Sequence, residues 1–436
     1  MHGLNLQARA GESLRDVKHA AIVVPASSPN AYAIARALSA GGIRVTVLDH
    51  VPQAPLRYSR WCQFKLCKDT VESEQNFVDS LIKISASLGE RPVLFPTQDL
   101  HTLVLCRNLE RLKDKILFSF MQENVALNCV DKRRMYPIAR GCGLTVPETL
   151  FPAFSEDASS DLSSFDRFPC VIKPAAKFEV RNGRFGSNFG FYTKYRTKAL
   201  RCSNMGELVQ ELADVQRSGF TAIVQEEIQG PPSNLWAIDF YSSRDSVVLA
   251  HHTGRKIRQY PSDFGTCTFG RSEEKGELLD LCTTLVKEIG FHGIGNIEFK
   301  ERNGKLYFLE INPRAWQWLH MASASGVNLP LIAYSDLVGT RASITCCEQR
   351  KTVLWVDLRG DTKHIRWRGP RTDATRKLSL ISWLGSVRHA KIEAMSSVFD
   401  PLPLVVIVLR KFMRQAFSKI RIGTGREPSD NLGGKR

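Results

Sequence analysis

The chain has 436 residues, 43% of them apolar, and carries 60 Lys and Arg against 44 Asp and Glu, a formal charge of +16. That length exceeds one ordinary core and predicts two or three domains, while the apolar content excludes a disordered chain. The positive balance favours anionic partners, and the absence of any RNP, zinc-finger or helix-turn-helix signature argues against nucleic acid.

The opening stretch "MHGLNLQARAGESLRDVKHA" lacks the apolar core of a signal peptide. "AAIVVPA" (20–26) predicts a buried strand, "AYAIARALSAGG" a helix stopped by glycines, and "IRVTVLDH" a second strand. Together they form a βαβ unit and imply a parallel sheet. A helix is expected near 71–88, then a strand in "PVLFPTQD" (92–99) whose C-terminal end turns toward a site. This open α/β domain is placed at 15–125. No GxGxxG follows its first strand, so its expected task is to pack and shape a neighbouring cleft.

A second domain, α+β in pattern, is expected over 126–340. Within "NCVDKRRMYPIARGCGLTVPET" (128–149) a helix follows the Asp. The polar run 155–166 predicts a linker, and "FPCVIKP" (168–174) a short strand ending in lysine. "RNGRFGSNFG" (181–190) suits a hairpin loop that closes over phosphates. A helix over 203–219 with a Ser cap, a strand in "TAIVQEEIQGPP", antiparallel strands over 235–260 and a helix over 273–295 complete the pattern. Beyond 340 the periodicity weakens into a C-terminal extension, 341–436, whose "PLPLVVIVL" (401–409) predicts an amphipathic helix before a basic, disordered tail. That run is too short to span a bilayer. The 11 cysteines form no CxxC pair, which excludes a zinc site or disulfide framework and fits a reducing cytosol. The expectation is a cytoplasmic protein, peripheral to an anionic membrane or docked on a protein partner through its basic C-terminus. Nothing in the sequence specifies an oligomer.

The chemistry concentrates in "NIEFKERNGKLYFLEINPR" (296–314). Side chains alternate faces along a strand, so the turn decides which residues converge. A two-residue Asn303-Gly304 turn would pair Arg302 with Lys305 and set Glu298 and Glu310 on opposite faces. A three-residue loop with Gly304 in a left-handed position would pair Glu301 with Lys305 and gather Glu298, Glu310 and Asn312 on one face. The second register is preferred because it assembles oxygen ligands for a hard cation such as Mg²⁺, with Arg314 as a planar fork for the same phosphate. Lys132 and Lys173 supply charge for nucleotide phosphates. The alternative is a solvated hairpin whose glutamates pair with nearby lysines.

The ordered set "DK" (131–132), "VIKP" (171–174), "VQEEIQG" (224–230), "NIEF" (296–299) and "LEINPR" (309–314) resembles the ATP-grasp superfamily. "GRKIRQYPSDFGT" (254–266) and "DPLP" (400–403) resemble the branch of carboxylate–amine ligases related to D-aspartate ligase. The resemblance implies an ATP-grasp architecture over about residues 15–335, preceded by the open α/β domain. It implies that Lys132 and Lys173 contact the phosphates of ATP and that Gln225, Glu226 and Ile228 line the adenine pocket, partly through backbone. Glu298, Glu310 and Asn312 would hold one or two Mg²⁺, or Mn²⁺, and Arg314 would steady the transferring phosphoryl group. Lys256 and Arg258 are candidates for the substrate carboxylate or the γ-phosphate, or else form a basic strand edge. His251 and His252 are read as structural. Two departures bear on the substrate: the phosphate loop is not a compact glycine run, and Gln317 and Trp318 stand where a small pair is common. The implied reaction joins a small carboxylate to an amine through an acyl phosphate. A nucleotide-dependent sensor or scaffold for envelope or polysaccharide assembly, and a bicarbonate-activating carbamoyl-phosphate or carboxylase type, stand beside it.

Overall fold

The first apolar run is a strand, β1 (Ala21–Val24), buried along its whole length. A strand without polar alternation suits a parallel sheet covered on both faces. β2 (Val45–Asp49), β3 (Gln63–Leu66) and β4 (Val93–Pro96) join it in the order β3-β2-β1-β4, all parallel. Helices α1 (Pro29–Ala40), α2 (Glu74–Ala86) and α3 (Asp99–Arg107) accompany this sheet. The computed structural model describes residues 19–152, 162, 165–181, 184–340, 348–366, 378–410 and 413.

Two short helices follow, α4 (Glu123–Val130) and α5 (Lys132–Gly141). Asp131 between them caps α5, its carboxylate accepting from the Arg133 amide at 2.9 Å. The cap fixes where Lys132 leaves the helix start. A second, antiparallel sheet contains β5 (Thr149–Leu150), β6 (Cys170–Pro174), β9 (Leu200–Cys202) and β10 (Ala222–Glu226) in the order β5-β10-β6-β9. Between β6 and β9 the chain forms a separate hairpin, β7 (Phe178–Arg181) with β8 (Arg184–Ser187), where a phosphate-covering loop was expected. The centre of that loop, 182–183, lies outside the described residues. Helix α6 (Met205–Arg217) is capped by Asn204, which accepts from the Glu207 amide, rather than by the serine before it.

The third sheet has seven strands: β11 (Leu235–Ser242), β12 (Val248–Tyr260), β13 (Thr266–Ser272), β14 (Gly293–Arg302), β15 (Lys305–Asn312), β16 (Leu354–Val356) and β17 (Ile392–Glu393). They lie in the order β15-β14-β11-β12-β13-β16-β17. Helix α7 (Glu277–Ile289) turns its apolar face to the core and ends at Gly290 in the left-handed region, φ 70°. Two strands from beyond residue 340 therefore extend the sheet that carries the hairpin. The chain runs on to Asp400, which accepts from Ser59 Oγ at 2.6 Å and ties the C-terminal segment to the N-terminal layer. Residues 402–410 are helical and expose Leu402, Val405 and Leu409. Most of the 155–166 linker and nearly all of the basic tail beyond 410 lie outside the described residues. Among the described residues no helix is long and apolar enough to cross a membrane.

Candidate active site

The turn at the hairpin tip is the two-residue one. Asn303 and Gly304 adopt φ of 53° and 76°, and Arg302 pairs with Lys305. The preferred three-residue register is thus incorrect, yet Glu298 still faces Glu310 and Asn296 faces Asn312. The reason is a β-bulge: the ladder runs Phe299 opposite Phe308, then Glu298 opposite Glu310, leaving Leu309 as an extra residue. The bulge restores the parity that the short turn would have broken. It also takes the Leu309 carbonyl out of the ladder, where Tyr136 Oη donates to it at 3.0 Å.

That contact starts a chain of hydrogen bonds between the sheets. Gln225 Nε2 donates to Tyr136 Oη at 3.0 Å and to Thr149 Oγ1 at 2.8 Å, while Gln225 Oε1 accepts from Lys173 Nζ at 2.7 Å. The Gln225 side chain is consumed in aiming a lysine. A cleft of about 1070 Å³ opens here, lined among others by Lys173, Glu226, Ile228, Lys256, Glu298 and Glu310. Burial drives the Lys173 ammonium down to about 7, helped by Lys132 and opposed by Glu310 and Glu298. Burial also lowers Lys132, although Glu310 Oε2 lies 3.6 Å from it. Burial alone would raise Glu310, but Lys177, Lys132 and Lys173 outweigh it and hold this carboxyl well below its usual range.

Asn312 is oriented from behind. Its Nδ2 donates to Asn296 Oδ1 at 3.2 Å, and Asn296 donates to Asp239 Oδ1 at 2.9 Å. Asp239 Oδ2 accepts from Trp318 Nε1 at 2.8 Å and lies 3.3 Å from His252 Nδ1. Trp318 is completely buried, so it does not reshape an acceptor pocket as the sequence suggested; its indole is a donor inside this network. Gln317 is tied to the Cys267 carbonyl at 2.7 Å, and Trp316 is the tryptophan that lines the cleft. His252 is structural, as expected, and fully buried beside Asp239.

Lys256 and Arg258 separate. Lys256 is buried in the cleft with its Nζ 3.4 Å from Glu298. Arg258 is directed elsewhere: it forks onto Asp361 at 3.0 and 2.5 Å and stacks on Phe269. Residues two apart share a face only in an unbroken strand. Here Lys256 pairs with Gly270 and Arg258 with Phe269, so Ile257 is a bulge that inverts the parity between them. Asp361 is fully buried and also accepts from Thr268 and Trp383, which makes the Arg258 pair an internal clamp.

Sequence reasoning missed three groups. Asp99, at the start of α3, holds Arg314 Nε at 3.0 Å and Lys177 Nζ at 3.5 Å. The "PTQD" strand end signalled it by pointing toward a site. Lys177 reaches Glu310 Oε1 at 3.6 Å and Asn312 Oδ1 at 2.5 Å. Burial pulls its ammonium down, but Asp99 and Glu310 prevail and raise it. Lys198, lowered by burial and by Lys256, lines the cleft beside Thr266. Neither lysine lies in a motif; only the surplus of basic residues hinted at them.

Two opposed carboxylates and an amide oxygen are hard donors of the type Mg²⁺ takes, and the buried lysines around them suit phosphate oxygens. The set fits the cation the resemblance implied.

Residues 246–357 match the family model "ATP-grasp in the biosynthetic pathway with Ter operon". The structure is similar to N5-carboxyaminoimidazole ribonucleotide synthetase from Thermus thermophilus, with TM-score 0.58 and 13% identity over 85% of this chain and 98% of that one. It is similar to L-amino acid ligase from Bacillus licheniformis, with TM-score 0.55 and 15% identity over 77% and 79%. In sequence it matches the arginine-specific large chain of carbamoyl phosphate synthase from Geobacillus stearothermophilus, 40% identical over 100 residues, or 21% of this chain and 9% of that protein. The chain thus spans under a tenth of the length of that curated relative. It has the ATP-grasp fold.

Proposed function

We propose that this chain is an ATP-dependent carboxylate–amine ligase that forms an amide and releases ADP. The observation that supports it most is the pairing of Lys132 with Glu310 and of Lys256 with Glu298, two opposed glutamates that line a cleft of about 1070 Å³, with Lys173 held in the same cleft by Gln225. The likeness to an L-amino acid ligase fits it, since an amino acid carries both reacting groups.

In this reading Lys132 and Lys173 hold the phosphates, and the backbone of Glu226 to Ile228 receives the adenine. Glu298 and Glu310 would hold Mg²⁺, which supplies neutralising charge for the phosphoryl group, and Asn312, whose amide donates to Glu310 Oε1 at 3.5 Å, would stand beside it. Arg314, anchored by Asp99, faces the transferring phosphoryl group, and Lys256 faces the substrate carboxylate. A carboxylate oxygen attacks the γ-phosphorus and the bond to the ADP oxygen breaks, giving an acyl phosphate. An amine nitrogen then attacks the acyl carbon, phosphate leaves and the nitrogen loses a proton. The chain's contribution is positioning and fixed charge. Arg258 takes no part in it.

ADP release measured across a panel of acids paired with amines tests the proposal. Release that requires both supports it. Nucleotide binding without turnover on any pair favours a sensor instead, and turnover that requires bicarbonate favours a carboxylase or carbamoyl-phosphate type.

A peripheral membrane contact belongs to the same proposal. Leu402, Val405 and Leu409 follow the i, i+3, i+7 spacing of one helix face, all are exposed, and Arg410 stands beside them. Replacing the three with serine, or deleting 411–436, should reduce co-sedimentation with phosphatidylglycerol vesicles. Unchanged sedimentation would refute the contact.

A further inference from the structure

Among the lysines of the cleft, Lys177 is placed differently. Lys132 approaches Glu310 Oε2, Lys256 approaches Glu298, and Lys173 is turned to Gln225. Lys177 alone among them reaches both Glu310 Oε1, at 3.6 Å, and Asn312 Oδ1, at 2.5 Å. Those two oxygens, on residues two apart along one strand face, are what a second divalent ion would need beside the first. Asp99 Oδ2, 3.5 Å away, closes the other side of the ammonium. The backbone of Lys177 is pinned on both flanks: its amide donates to the Val130 carbonyl at 2.9 Å, and its carbonyl accepts from the Asn188 amide at 3.1 Å. The lysine is therefore a fixture of the site floor rather than a free surface arm.

We infer that the Lys177 ammonium permanently takes the place of a second divalent cation, so that the nucleotide complex carries a single metal ion, held between Glu298 and Glu310. This rests on the ligase reading above and sharpens it. Mg²⁺ demands oxygen ligands at about 2.1 Å in near-octahedral array, and an ammonium hydrogen-bonded to one of those oxygens and ion-paired with the other leaves no room for it. The charge is served as well. A tethered ammonium provides one positive charge at the phosphate without the loss of hydration a second Mg²⁺ would suffer, and without dependence on free metal concentration. Asn312 fits the arrangement because its oxygen is turned toward Lys177 by the Asn296 bond on its amide nitrogen.

The experiment counts metal ions. Full-length protein is titrated with Mn²⁺ in the presence of saturating non-hydrolysable ATP analogue, and free Mn²⁺ is read by electron paramagnetic resonance. Nucleotide binding is measured on the same samples. The wild type should bind one Mn²⁺ per chain, Lys177→Ala two, and Lys177→Arg one. Two ions in the wild type would show that Lys177 swings aside when nucleotide binds, and would overturn the inference while leaving the ligase reading intact. One ion in Lys177→Ala with the nucleotide bound would also overturn it, because the lysine would then not be what excludes the second. No nucleotide binding by the wild type would instead bring down the reading beneath, and this inference with it.

Discussion

Lys173 gives the sharpest prediction. Buried beside Lys132, it titrates near 7 in the free protein, against an ordinary value of 10.5. Phosphate oxygens arriving at its ammonium restore the charged form, so nucleotide binding above pH 7 takes up a proton. The half-charged lysine at pH 7 becomes about 1% charged at pH 9, and the affinity contributed through it should fall about 50-fold over that range. At pH 8 the uptake from this group approaches about 0.9 proton. Calorimetry of ATP-analogue binding in buffers of different ionisation enthalpy measures that uptake directly. Lys173→Met should lose it. Lys300, brought down to about 8 mainly by burial, sets a background that persists in the variant. Equal proton uptake in wild type and Lys173→Met, or affinity that does not change with pH, would refute the argument. The same shift bears on stability: between about 7 and 10.5 the unfolded chain binds more protons at this lysine, so folding stability should rise with pH through that window.

Other perturbations separate the site from its scaffold. Glu310→Gln should lower metal-dependent ADP release by on the order of 10²-fold or more while the circular dichroism stays native; near-normal release would defeat the metal assignment. Arg258→Met leaves the buried Asp361 without its cation and should cost roughly 3–5 kcal/mol in chemical denaturation. Lys256→Met should weaken turnover and, because Glu298 borders the open cleft, cost less stability than Arg258→Met; the reverse pattern would undo the separation of the two residues. Asp239→Asn keeps the volume but presents one acceptor where three donors converge. It should weaken Mn²⁺ binding by about 10- to 100-fold through Asn296 and Asn312, whose amide also donates to Glu310 Oε1 at 3.5 Å, and unchanged Mn²⁺ affinity would show that this chain of bonds does not act on the site.

Much of the fold was legible because burial writes itself into composition: unbroken apolar runs marked β1, β2 and β4, and the ordered motifs placed Lys132, Lys173, Glu298, Glu310 and Asn312 in one region. What the sequence hid is backbone irregularity. The resemblance grouped Lys256 and Arg258 as candidates for one substrate group, and counting along β15 led to the wrong loop at Asn303-Gly304. Both errors come from bulges, which carry no residue signature of their own here: Ile257 and Leu309 are ordinary strand residues. Long-range partners were equally hidden. Asp361 lies 103 residues from Arg258, and Asp99 more than two hundred from Arg314, so no local pattern could couple them.

The extra residue in β15 has a consequence for how such a strand tolerates change in length. Without Leu309 the two-residue turn would give an uninterrupted ladder that still sets Glu298 against Glu310, so the interval between the two glutamates carries one residue of slack. Removing Leu309 should leave the carboxylates opposed and the buried faces of Leu306 and Phe308 unchanged. It would, however, withdraw the carbonyl that Tyr136 grips, and with it the hold that Gln225 exerts on Lys173. In the ligase reading, a one-residue deletion would thus split metal binding from phosphate binding.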